Sequence, residues 1–374
     1  MFSAQDAEGQ DDICGRTVAA LSATIGERSS PDPARERVRE AIAAIAEGKP
    51  VVVVDDDGRE NEGDLIFAAV HATLQLMAFT VRHTSGFVCV ALTGEDCDRL
   101  ALPPMSHHSQ DRFGTAYRVP VDLRGTGTGI SAAARAATVA ALASPRSTAR
   151  DFVRPGHVVP LSARPGGVLH RRGHTEAAVD LTRLAGLPAA GVLCEIVSQD
   201  RPGEMARGSE LERFAKEHDL VHLSVDDLVR YRRASEPQVC RVVTTSLPTR
   251  HGTFNAVGYG SVVDDAEHMA LVAGPLDRVT ADVPVHVHVE CLSGDVLRST
   301  GCACRADLDR ALAHAARGGI VVYLRPAGRT RACVLRESAV DLDAAAAAAE
   351  WILADLGAFP ARRRCAAPPA TRVG

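Results

Sequence analysis

From residue 32 onward the chain alternates short apolar runs with amphipathic stretches. Asp32 followed by Pro33 offers a helix N-cap and a first-turn proline, and Val38, Ile42 and Ile45 recur on one face at i, i+4 and i+7, which predicts a helix closing near Gly48. Val51 to Val54 is an unbroken β-branched run, the pattern of a strand buried on both faces. Residues 87–92, 116–121 and 191–197 read as further strands, and 131–142, 175–184 and 210–218 as helices. That alternation places this half of the chain in the α/β class.

The pattern breaks at Arg232-Arg233-Ala234-Ser235-Glu236-Pro237, and a second set of elements begins at Val239. Strands are expected over 242–245, 256–263, 269–273, 283–289 and 320–324, with helices over 307–316 and the Ala-rich 341–356. The organisation that follows is a loose N-terminal extension over 1–33, an α/β domain over 34–233, a second, smaller α/β domain over 237–360 and a loose tail over 361–374. No internal repeat is visible.

Length and composition agree with this division. At ~100–200 residues per domain, 374 residues make two domains. A chain that is 46% hydrophobic and 24% charged is not disordered throughout. A net charge of −5 argues against a broad basic surface for nucleic acid, and 4% aromatic residues argue against a stacking platform. Residues 1–10 lack the basic start and apolar core of a signal peptide, and no apolar run approaches the ~20 residues of a membrane helix, so a soluble cytoplasmic protein is expected. Ten cysteines are too sparse for a disulfide scaffold, and the Cys302/Cys304 pair points to metal or redox chemistry.

The chemistry concentrates in four places in the first half. Asp55-Asp56-Asp57-Gly58-Arg59-Glu60-Asn61-Glu62-Gly63-Asp64 packs six carboxylates into ten residues directly after a buried strand. Such acids repel one another unless a cation sits among them, and Mg²⁺ takes oxygen ligands of this kind; a solvated acidic turn is the plain alternative. Arg154-Pro155-Gly156-His157 and Arg171-Arg172-Gly173-His174-Thr175-Glu176 set histidines beside arginines in Gly-bearing turns, with Thr175 placed as a helix N-cap. Glu195 ends the apolar run Gly191-Val192-Leu193-Cys194, where a carboxylate needs a partner or a cavity. Acids, imidazoles and guanidinium groups together suit a metal-assisted site for a phosphorylated sugar.

With the Thr128-Gly129-Ile130-Ser131 and Leu193-Cys194-Glu195 segments, these motifs occur in an order that resembles the 3,4-dihydroxy-2-butanone 4-phosphate synthase family. The resemblance implies a three-layer, mixed-sheet domain, usually a homodimer, converting D-ribulose 5-phosphate into the four-carbon ketone phosphate and formate with Mg²⁺ or Mn²⁺. It implies that Glu60 and His174 hold the metal, that Arg59, Asp64, Arg171 and Thr175 bind substrate beside them, and that His157 and Glu195 are catalytic. Departures are Ala134 where an Asp usually precedes Arg135, Gly127 where Thr is common, and Ala137 where Thr is frequent.

In the second half, Cys291, Cys302 and Cys304 can be read as three zinc ligands or as reduced core cysteines. Leu247-Pro248-Thr249-Arg250-His251-Gly252 and Glu290-Cys291-Leu292-Ser293-Gly294-Asp295 resemble GTP cyclohydrolase II, which makes the three cysteines its Zn²⁺ ligands and His288, Glu290 and Arg329 vestigial GTP contacts. His286 and Val289 stand where Arg and Ser are expected, Gly301 and Ala303 where Arg and Asp are expected, and the chain reaches Asp341 without the family's long catalytic insertion. The resulting expectation is a synthase followed by an impaired cyclohydrolase-like domain, with ribulose 5-phosphate rather than GTP as substrate. Two other readings stay open: a fully bifunctional enzyme, and a non-catalytic protein that binds sugar phosphate or stabilises a partner.

Overall fold

The structure is a computed structural model that describes residues 32–108, 110–325, 332–333 and 341–359. The tail over 361–374, Arg329 and nearly all of the 1–33 extension lie outside the described residues. The chain divides into two compact units, Pro31–Arg232 and the part that begins at Arg233.

The first unit opens with α1 (Pro33–Ala46), capped by the Asp32 carboxylate, which accepts from the Ala34 N–H at 3.0 Å. There follow β1 (Val51–Val54), β2 (Gly63–Ala68), α2 (Leu74–His83), β3 (Cys89–Leu92), α3 (Gly94–Arg99), β4 (Val121–Leu123), α4 (Ala132–Leu142) and β5 (Phe152–Ser162). The unit closes with α5 (His174–Leu184), β6 (Gly191–Glu195), α6 (Ser209–Glu217), β7 (His222–Ser224) and most of α7 (Val225–Ser235).

Seven strands form one mixed sheet in the order β4-β5-β3-β6-β2-β1-β7. β1 runs parallel to β7 and β3 to β5, and the remaining neighbours are antiparallel. Alternation along the strands sends side chains to both faces of the sheet. Val51, Val53, Ile66, Cys89 and Ala91 pack with Val38 and Ile45 of α1, Leu181 of α5 and Leu228 of α7. Phe67, Val90, Leu92 and Val192 pack on the other face with Met77 of α2, Cys97 of α3 and Val139 and Leu142 of α4. Helices on both faces make this unit three-layered, as the sequence suggested.

Three local expectations are corrected. Residues 116–121 are not a strand: Tyr117 makes an isolated bridge to Leu161, and the regular pairing starts at Val121. Arg154-Pro155-Gly156-His157 is no turn but the first half of β5. Pro155 is tolerated there because β3 pairs only with Val159 to Ser162, leaving the first half with one neighbour. The N-cap of α5 is Gly173 rather than Thr175, and no side chain caps that helix.

In the second unit β8 (Val239–Thr249), β9 (Gly252–Ser261), β10 (Glu267–Val272), β11 (Val285–Val289), α8 (Cys304–Ala315), β12 (Ile320–Leu324) and α9 (Leu342–Leu356) build a smaller α/β layer structure. The sheet order is β11-β12-β10-β9-β8, parallel only between β11 and β12. Trp351, Ile352 and Leu356 of α9 cover Val257, Tyr259, Val272 and Val322, while Ala311 and Ala315 of α8 cover Ala256, Leu271 and Val321 on the opposite face.

Candidate active site and metal centres

The acidic turn joins β1 to β2, whose register pairs Val54 with Gly63. Asp55 is turned inward and organises that turn. Its carboxylate accepts from the backbone N–H groups of Glu60 at 3.1 Å and Glu62 at 3.0 Å, and from Arg59 Nη1 at 2.8 Å. These bonds, together with the His174 charge, outweigh burial and hold the Asp55 carboxyl below the usual range. The other Arg59 nitrogen lies 3.2 Å from Glu60, and the guanidinium stacks over Phe113 with 5.0 Å to the ring centroid.

His174, the first residue of α5, brings its buried ring to the same place. Its Nδ1 stands 3.6 Å from Glu60 Oε2 and 3.8 Å from Asp64 Oδ1. Asp55, Glu60 and His174 each offer a ligand atom, all within 4.8 Å of one another. His174 Nε2 and Asp64 Oδ1 are buried without a hydrogen-bond partner, the condition a coordinated cation relieves. Burial pushes the Asp64 carboxyl up to about 7. Burial pulls the His174 imidazole down, but the carboxylates around it prevail and raise it to about 9. Two carboxylates, an imidazole and a third acid at this spacing fit a divalent cation.

Asp64 and Glu195 face each other across the β2–β6 ladder, so the strand-end glutamate opens onto the same region. Glu195 is fixed by the Ser85 hydroxyl, which donates to Oε2 at 2.6 Å, while the Ser85 N–H donates to the Glu195 carbonyl at 2.7 Å. Thr175 is buried in the first turn of α5 beside His174. Arg171 is locked from within: Nη1 donates to the buried Glu176, and its other donors reach the Phe113 carbonyl and the Thr115 hydroxyl. A Cβ at Gly173 would lie 2.4 Å from Arg171 Nη1 and 2.9 Å from Glu176 Oε2, so any larger residue there displaces the ends of that ion pair.

His157 is the half-exposed member of the set. Its backbone N–H donates to Asp122 Oδ1 at 2.9 Å and its Nδ1 lies 2.7 Å from Asp122 Oδ2. Among the described residues no hydrogen bond or ion pair joins His157 to the Asp55–Glu60–His174 group. Asp55, Ser85, Asp122 and Glu176 carry no site role in the sequence reading, although Asp55 and Glu176 sit in motifs singled out there.

The cysteine centre in the second unit contains more than the expected three sulfurs. Cys291, Cys302, Cys304 and Cys333 bring their sulfurs within 4.8 Å of one another. Asp295 braces this cluster by accepting from the Cys291 N–H at 2.8 Å and the Tyr323 hydroxyl at 2.9 Å, with His288 Nε2 at 3.0 Å. Two of the expected nucleotide contacts are engaged internally: His288 with Asp295, and Glu290 with Arg325 at 3.2 Å.

Comparison with known proteins covers nearly the whole chain. The family described as 3,4-dihydroxy-2-butanone 4-phosphate synthase matches residues 39–231, and the family described as GTP cyclohydrolase II matches 240–356. A riboflavin biosynthesis protein RibBA of Rhodococcus jostii is 58% identical over 296 residues, covering 78% of this chain and 71% of its own. The corresponding protein of Salinispora arenicola is 59% identical over 291 residues, covering 77% and 69%. A crystal structure of RibBX from A. baumannii, described as a two-domain 3,4-dihydroxy-2-butanone 4-phosphate synthase, aligns with a TM-score of 0.70 at 35% identity, covering 90% of this chain and 95% of that one. A 3,4-dihydroxy-2-butanone 4-phosphate synthase in complex with two magnesium ions aligns with a TM-score of 0.51 at 44% identity, covering 53% and 97%.

Proposed function

The chain belongs to the 3,4-dihydroxy-2-butanone 4-phosphate synthase family and to the riboflavin biosynthesis proteins in which a GTP cyclohydrolase II segment follows; from that premise we propose that its first unit converts D-ribulose 5-phosphate to 3,4-dihydroxy-2-butanone 4-phosphate and formate, and that its second unit does not hydrolyse GTP. The observation that carries the first part is the convergence of Asp55, Glu60 and His174 on one point beside Asp64 and Glu195.

Glu60 and His174, with Asp55 behind them, hold Mg²⁺ or Mn²⁺ in this reading. The bound ion supplies Lewis-acid stabilisation of negative charge on adjacent sugar oxygens. The rest falls to side chains of the chain itself. Arg59 and the uncapped N-terminus of α5 at His174 and Thr175 attract the anionic phosphate. Glu195, oriented by Ser85, and His157, oriented by Asp122, take and return protons as the ketone enolises, a carbon migrates and formate leaves. The five-carbon phosphate splits into the four-carbon ketone phosphate and formate with no net change in water. A homodimer is the assembly proposed for it.

The silence of the second unit is supported by what surrounds the cysteines. His288 and Glu290 are tied to Asp295 and Arg325, and only residues 325–341 separate β12 from α9. The two-domain RibBX, similar over 90% of this chain, is described by the synthase activity alone. The fully bifunctional alternative draws on the RibBA relatives and on the match over 240–356. Formate release from purified protein, with ribulose 5-phosphate and GTP supplied separately, decides between them. Formate from the sugar phosphate alone is expected; formate from GTP makes the enzyme bifunctional, and formate from neither makes it non-catalytic.

A further inference from the structure

We propose that Cys333 is the fourth ligand of a closed tetrathiolate site, formed with Cys291, Cys302 and Cys304, that takes Zn²⁺ as a structural ion with no position left for water. The proposal deepens the reading of the second unit as hydrolytically silent and rests on it.

Geometry carries the argument. Thiolates ~2.3 Å from a tetrahedral zinc are separated by ~3.8 Å. Cys291 and Cys302 Sγ are 3.9 Å apart, and Cys304 and Cys333 Sγ are 3.5 Å apart. All four sulfurs lie within 4.8 Å of one another, which is the spread of one coordination shell. Cys333 is also held to the cluster by its backbone, whose N–H donates to Cys291 Sγ at 3.4 Å. The Gly294 N–H reaches the same sulfur at 3.4 Å, and the two donors offset part of a thiolate's charge. Glycine is required at 294, because a Cβ there would stand 2.9 Å from Cys302 Sγ.

Catalytic zinc keeps three protein ligands and an open fourth position for water or substrate, whereas structural zinc is closed by four. A fourth sulfur in the shell therefore removes the position from which a zinc-activated water would attack. Cys333 is disulfide-bonded in this structure, so ligation and disulfide are alternative states of one sulfur. A phosphine reductant adds two electrons and, with two protons from water, converts the disulfide to thiols; zinc then displaces the protons of the coordinating thiols.

The test uses the full chain, purified with a phosphine reductant and loaded with Zn²⁺ or with Co²⁺ as a spectroscopic probe. Thiolate-to-cobalt charge transfer is expected at four-sulfur intensity, falling by about one quarter in Cys333→Ser, as in the control Cys302→Ser. Zinc retention against a chelator is expected to fall at least tenfold in Cys333→Ser. Thiol mapping needs no variant: in zinc-loaded wild type, Cys333 is protected from alkylation and becomes reactive when a chelator removes the metal. An unchanged cobalt spectrum in Cys333→Ser, or a Cys333 that is alkylated or still disulfide-bonded in the zinc-loaded protein, overturns the proposal. Formate release from GTP is scored separately. A three-sulfur spectrum without GTP turnover sinks the ligand set alone, and GTP turnover sinks the reading of a silent unit.

Discussion

Asp122 holds His157 twice, accepting from its backbone N–H at 2.9 Å and meeting its ring Nδ1 at 2.7 Å. The second contact fixes the tautomer and points Nε2 away as the working nitrogen. Asp122→Asn keeps the shape and removes the charge. The expected result is a fall in kcat of about tenfold or more, bounded by the ~10²–10⁴-fold that a general acid–base group supplies, with KM little changed and a displaced pH–rate profile. A purely structural Asp122 would lower stability and leave the pH profile in place.

Glu60 and His174 are the proposed metal ligands, with Glu60 Oε2 3.6 Å from His174 Nδ1. Glu60→Gln and His174→Ala should each weaken Mg²⁺ or Mn²⁺ binding by at least about tenfold and reduce formate release from ribulose 5-phosphate by ~10²-fold or more. Chelation of wild type should abolish turnover, and readdition of either ion should restore it. Metal titration by calorimetry beside the formate assay checks both; unchanged affinity in both variants contradicts the assignment.

Glu176 is fully buried under Arg171, accepting from that guanidinium and from the Arg164 N–H at 2.9 Å. Glu176→Ala strands a largely buried cation, a change that costs ~3–5 kcal/mol. In a unit of this size that lowers Tm by roughly 10 °C. Gly173→Ala should act in the same direction, because its methyl meets Arg171 Nη1. Thermal denaturation followed by circular dichroism reads both, and a wild-type melting temperature for either variant contradicts this packing.

Asp295 joins the backbone of Cys291, the ring of His288 and the hydroxyl of Tyr323. Asp295→Ala leaves two buried polar groups and the half-buried Tyr323 hydroxyl without their acceptor, the buried ones each worth about 1–3 kcal/mol. The second unit should unfold at lower denaturant, and zinc retention should fall with it. Formate release from ribulose 5-phosphate should stay within about twofold of wild type.

The elements legible in the sequence were those with local signals. α1 was announced by Asp32-Pro33 and its apolar face, β1 by four valines, and α9 by its alanine run. β2 was hidden because its first residues, Gly63 and Asp64, read as the end of an acidic turn, and β5 because Pro155 and Gly156 look like breakers. Glu60 and His174, which the structure brings together, stand out in the sequence because their motifs are continuous. Supporting residues do not: Asp122 reaches His157 across 35 positions, and Cys333 reaches Cys291 across 42, through strand neighbours and loop returns that spacing does not encode. The same holds for Ser85, which meets Glu195 across 110 positions.

The measurement that bears most directly on the central claim is formate release by the purified full chain given ribulose 5-phosphate and Mg²⁺, with wild type and Glu60→Gln assayed side by side. Metal-dependent formate with stoichiometric four-carbon ketone phosphate is expected from wild type, and ~10²-fold less from the variant. Absence of formate from the metal-loaded wild type, or equal formate from both proteins, would contradict it.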